Sequence, residues 1–139
     1  MSHKLPPSEV AALLAKAALL DERKIDKLKA VEFAKSLDPM TLADATAAIE
    51  RHRATSTDWL MPAHINAIVT GWKRDRLQRA PLEIPPAALA DHPELEREWV
   101  QRRRELIADG YPAADAETVA TEQITARTPA AFITEASNG

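Results

Sequence analysis

The 139 residues leave room for one compact domain with a tail or for two very small domains, and they exclude a large two-domain enzyme. Apolar residues make up 45% of the chain but aromatic residues only 4%, so most of the apolar share is alanine and leucine, which favour helices. Without cysteine there can be no disulfide, thiolate metal ligand or thiol nucleophile. The three glycines stand far apart, which excludes a glycine-rich phosphate loop.

The net charge of −3 is divided unevenly along the chain. Residues 1–80 contain 13 Lys and Arg against 10 Asp and Glu, while residues 81–139 contain 5 against 11. This contrast predicts that the two parts meet different partners.

No apolar run approaches the roughly 20 residues needed to cross a bilayer, and no signal-peptide pattern opens the chain. We therefore expect a cytoplasmic protein without a membrane partner.

Apolar residues at helical spacing predict four helices before residue 80. In chain order their first residues or caps are Ser8, Asp21, either Asp38 or Thr41, and Pro62. Ser8 and Thr41 are typical N-cap residues, and proline suits the first position of a helix. The four helices predict a small antiparallel bundle in residues 1–80, and thus an all-α protein.

Three prolines in residues 81–86 predict a stiff, extended linker after the bundle. A fifth helix is predicted over residues 91–110, since glycine at its end suits a helix C-terminus. A weak sixth helix is predicted over 115–127, and 128–139 are expected to form a mobile tail. Residues 81–139 are thus expected to be a linker, a partner-binding helix and a tail.

The histidines show no metal-binding pattern. They fall in different segments with neither HxxxH nor HExxH spacing: His3, His52, His64 and His92. No serine lies in a GxSxG elbow, and the carboxylate pairs lie at helix starts, where the helix dipole accounts for them. The sequence therefore predicts no catalytic residue, no metal, no other cofactor, and a protein that is not an enzyme.

Two clusters could bind a partner. The first is basic, lies at the end of the fourth helix and could contact nucleic-acid phosphates, although cations in a last turn also suit the helix dipole. The second lies on the fifth helix and combines Trp and Arg, the residue types favoured as interface anchors. Its alternative is a solvated helix packed lightly on its own domain. The first cluster is Lys73, Arg74, Arg76 and Arg79; the second is Trp99, Arg102, Arg103, Arg104 and Leu106.

Four segments carry a family resemblance. They are Ser8–Val10 ahead of an apolar helix, Val31–Asp38, Leu42–Ile49 and Trp59–Ile65. In this order they resemble the N-terminal domain of the small phage helicase loaders, the loader-and-inhibitor family that acts on hexameric replicative helicases. The resemblance implies a bundle domain followed by a flexible part that engages the helicase.

The same resemblance implies a function without ATPase activity. The protein would deliver the hexameric replicative DNA helicase to DNA or to an origin-binding initiator, in the cytoplasm of a phage-infected host. We place the helicase contact on the second cluster, as a helix laid into a groove of the partner. A small regulator of another host protein would share these features.

The runner-up hypothesis is a DNA-binding protein of the helix-turn-helix kind. The third helix, the polar break at residues 54–58 and the fourth helix have the required order, with the fourth as the recognition helix. Against it, the basic residues fall at the C-terminal end of that helix, whereas recognition helices contact bases near their N-terminus.

Overall fold

A computed structural model describes residues 1–21 and 27–127. The described residues contain six α-helices and one short 3-10 turn, which confirms the all-α class. They are α1 (Pro7–Asp21), α2 (Lys27–Ser36), α3 (Leu42–Thr55), α4 (Pro62–Arg79), the 3-10 turn (Ala87–Leu89), α5 (Pro93–Ala108) and α6 (Ala113–Arg127). The expected mobile tail, and residues 22–26 of the expected second helix, lie outside the described residues.

The starts of α3 and α4 follow the local sequence rules. The Thr41 hydroxyl oxygen accepts a hydrogen bond from the Asp44 backbone N–H at 3.0 Å, so Thr41 and not Asp38 caps α3. Helix α4 begins at Pro62, as expected.

Helix α5 ends in a Schellman motif built around Gly110. The Tyr111 N–H donates to the Leu106 carbonyl, and the Gly110 N–H donates to the Ile107 carbonyl, both at 3.0 Å. Gly110 adopts a φ of 106°, which residues with a Cβ rarely adopt. The glycine is therefore needed to end this helix.

Gly110→Ala is expected to lower the free energy of unfolding by about 1 kcal/mol. A Cβ at Gly110 would meet nothing closer than the Arg76 side chain at 3.7 Å, so the cost comes from backbone strain alone. Gly71→Ala is the control: it lies inside α4 with nothing within 4 Å, and alanine there should stabilise the helix. Urea unfolding checks both changes. Equal effects of the two substitutions would contradict this role of Gly110.

The chain divides into two compact units, Met1–Trp72 (the first unit) and Lys73–Gly139 (the second unit). The division falls within α4, so the expected boundary near residue 80 is corrected. Residues 73–80 belong to the second unit because Leu77 and Ala80 pack against its interior. With this boundary the first unit has nine basic and nine acidic residues and the second nine and twelve, so the expected basic half is formally neutral.

The interior of the first unit is formed by the N-terminal segment and by residues of α1 to α4. Met40 and His3 exchange two backbone hydrogen bonds, of 3.0 and 3.1 Å, which fix the N-terminal segment. The Asn66 side chain of α4 donates to the Ser36 carbonyl and accepts from the Asp38 N–H. The buried apolar residues include Leu5, Val10, Leu14, Phe33, Leu37, Met40, Ile49, Leu60, Ile65 and Val69, with Ile68 and Trp72 packed against them.

The second unit has its own interior, formed mainly where α5 packs against α6. One cluster surrounds Trp99 and the other surrounds Leu106. Helix α6 contributes Ala116, Ala120 and Ile124, which recur every four residues and are all buried. Trp72 and Trp99 thus lie in different clusters: Trp72 packs against the first interior and Trp99 lies in the second.

Candidate partner-binding surface

Three of the five residues predicted to contact a partner through α5 are buried. Trp99 and Arg103 are 1% exposed and Leu106 is fully buried. The Trp99 indole N–H donates to the Thr121 hydroxyl at 3.0 Å. The prediction that these three side chains anchor a partner is therefore corrected: they form the interior of the second unit, because α6 covers the face of α5 that carries them.

Arg103 joins three parts of the second unit. Its Nε donates to Glu117 Oε1 of α6, and its Nη2 donates to the Pro81 carbonyl oxygen, both at 3.0 Å. A buried guanidinium needs such partners, because burying an unpaired charge is costly. Arg103 therefore fixes the backbone of residue 81 to α5 and α6.

Arg102 and Arg104 lie closer to the surface and also bond within the unit. Arg102 Nε donates to Gln123 Oε1 of α6 at 2.6 Å, so this side chain links the two helices. Arg104 Nη1 lies 3.0 Å from Glu83 Oε1. The three consecutive arginines thus hold α6 and residues 81–83 against α5.

Residues 81–86, called the tethered segment below, present two apolar side chains to solvent. Leu82 is 82% exposed and Ile84 is 72% exposed, while Glu83 between them pairs with Arg104. This alternation is typical of an extended chain, and the prolines favour that conformation. The predicted linker is therefore anchored by Arg103 and Arg104. The exposure of Leu82 and Ile84 was not predicted from the sequence, although apolar residues alternating with Glu83 between prolines indicate an extended chain of this kind.

The basic cluster at the end of α4 is partly used within the second unit. Arg76 Nη1 donates to the Ala108 carbonyl at 2.8 Å, and Lys73 Nζ lies 3.9 Å from Asp109 Oδ1. Both contacts are at the C-terminal end of α5, where cations are favourable. Arg74 and Arg79 are exposed, with Arg79 Nε donating to the Asp75 carbonyl of its own helix. The structure brings the four cations along one helix end, with Arg74 and Arg79 exposed and Lys73 and Arg76 partly buried.

His52 near the end of α3 stacks on His64 at the start of α4. The rings of His52 and His64 lie 4.3 Å apart, the Met61 N–H donates to His64 Nδ1, and His52 Nε2 lies 2.8 Å from the Asp58 carbonyl oxygen. These bonds hold the connection between α3 and α4. Within residues 1–21 and 27–127, no group of three potential metal-ligating side chains is found.

Comparisons with protein families, with curated proteins and with solved structures find no match for this chain. Of the helices in the described ranges, none combines the length and the apolar character needed to span a membrane.

Proposed function

We propose that the protein is a non-enzymatic adaptor that binds a hexameric replicative DNA helicase and helps to load it during phage DNA replication in the host cytoplasm. The ordered likeness of Ser8–Ile65 to the phage loaders supports the choice of partner. The final recipient of the helicase is DNA or an origin-binding initiator.

The exposed pair on the tethered segment is the observation that carries an adaptor function. Leu82 and Ile84 stand in water although two arginines fix the chain on which they lie. A fixed segment has already lost much of the conformational freedom that binding would remove, so the entropic cost of ordering it on binding is smaller. Apolar side chains presented in this way are suited to fill pockets of a protein partner.

Leu82→Asp combined with Ile84→Asp is expected to weaken helicase binding about 100-fold, because each lost apolar anchor costs more than about 1 kcal/mol. The measurement is size-exclusion chromatography with light scattering of the full chain mixed with a bacterial hexameric replicative helicase. Leu28→Asp is the matched control, since Leu28 is 71% exposed in the first unit. The proposal is contradicted if the wild-type chain does not bind the helicase, or if the double variant binds it as tightly as the control.

DNA binding is the competing function, and the exposure of Arg74 and Arg79 is the observation in its favour. The first turns of α4 are less suited to base recognition, because His64 and Asn66 hydrogen-bond within the first unit. We therefore expect weak duplex binding whose logarithmic salt slope is no steeper than about −2, corresponding to two phosphate contacts. Fluorescence anisotropy across a salt series measures the slope. A much steeper slope, abolished by Arg74→Glu with Arg79→Glu, would favour the DNA-binding function.

A further inference from the structure

A groove of about 550 Å³ runs beside the tethered segment. It is lined by Ile84 and Pro86 of the tethered segment and by Trp99 of α5. The other lining residues belong to α6, and their helical spacing places them on one face of that helix. They are Ala114, Glu117, Thr118, Thr121 and Glu122.

The backbone beside this groove has hydrogen-bonding capacity to offer. Within the described part of the chain, no hydrogen bond is made by the backbone N–H or C=O groups of Leu82, Glu83 or Ile84. Residues two apart in an extended chain point their N–H and C=O groups to the same edge, so Leu82 and Ile84 present a short row of donors and acceptors. Such an edge pairs with another extended chain.

The charge of the groove indicates which charged side chain a bound segment should have. The groove's lining among the described residues includes Glu117 and Glu122 and no basic residue. Glu117 is neutralised by Arg103, whereas Glu122 is exposed and has no ion partner among residues 1–21 and 27–127. A cation placed opposite Glu122 would therefore find an uncompensated carboxylate, and an anion would be repelled.

We propose that this groove binds an extended segment of the partner protein in which apolar side chains alternate with lysine or arginine. The apolar side chains contact Leu82 and Ile84, the backbone of the segment pairs with Leu82 and Ile84, and one cation faces Glu122. This inference rests on the proposed function, because the groove belongs to the surface that is proposed to bind the helicase. It adds which kind of helicase segment binds there.

The test is an amide NMR titration of the full chain with a short peptide that alternates valine and lysine. Resonances of residues 82–84 and 114–122 should shift, and affinity should fall at least about tenfold in Glu122→Lys. Glu50→Lys is the control, because Glu50 is exposed on α3 and the change in net charge is the same. A matched peptide of valine and glutamate should not bind.

The proposal is overturned if the lysine peptide shifts nothing at millimolar concentration, if both peptides bind equally, or if a second copy of the chain occupies the groove and the protein self-associates. The helicase mixture distinguishes the two proposals. Peptide binding without helicase binding contradicts the function but retains the groove; helicase binding that Glu122→Lys leaves unchanged overturns the groove and retains the function.

Discussion

Trp99→Ala is expected to lower the free energy of unfolding of the second unit by about 3–5 kcal/mol. Trp99 is 1% exposed and packs with Leu89, Ala120 and Ile124 in a small interior. Truncation would remove the largest side chain of that interior and leave a cavity that short alanine neighbours cannot fill. Trp99→Phe is the graded comparison, because it keeps a ring but loses the hydrogen bond to Thr121, at a cost of about 1–2 kcal/mol.

Native-state amide hydrogen exchange measures this effect unit by unit. Protection in α5 and α6 should fall steeply in Trp99→Ala, while protection in α3 should stay close to that of the wild-type protein. Such a result follows from two separate interiors. An equal loss of protection in α3 would show that the chain unfolds as one cooperative core.

Arg103→Ala is expected to lower the free energy of unfolding of the second unit by about 2–3 kcal/mol, because it leaves Glu117 and the Pro81 carbonyl oxygen without their buried donor. The cost stays below that of a fully buried pair because the Glu117 side chain is 41% exposed. Arg103→Lys should restore little of this stability, because one ammonium group cannot reproduce two directed guanidinium hydrogen bonds.

Arg104→Ala is the matched control for Arg103→Ala. Its bond to Glu83 has the same length, but the Arg104 side chain is 51% exposed, so the expected cost is under about 1 kcal/mol. Urea unfolding followed by circular dichroism compares the variants. If the two alanine variants lose the same stability, Arg103 does not hold the second unit together as described.

Short-range rules predicted much of the fold. A hydroxyl residue capped α3, a proline opened α4 and a glycine ended α5. Each of these depends on the conformation of a few neighbouring residues, so the sequence alone carries the information.

The candidate site was less predictable because it depends on packing between distant residues. Ala116 and Ala120 give little hydrophobic signal, yet they let α6 approach α5 closely enough to cover Trp99. Without that helix, Trp99 and Leu106 looked like unpaired anchors for another protein. Likewise, prolines after residue 80 are typical of a linker between domains. The bond from Arg103 to the Pro81 carbonyl joins residues far apart in the chain, so the sequence pattern does not predict it.

Hydrogen exchange of the full chain with and without a hexameric replicative helicase tests the proposed contact most directly. The backbone N–H groups of Leu82, Glu83 and Ile84 make no hydrogen bond in the described structure, so in the unbound protein they should exchange rapidly. We predict that the helicase slows exchange at Leu82 and Ile84, whose N–H groups share the pairing edge, and not at Glu83, whose N–H faces the opposite edge. Helicase binding that slows exchange only within residues 1–72 would contradict the assignment of the contact to the second unit.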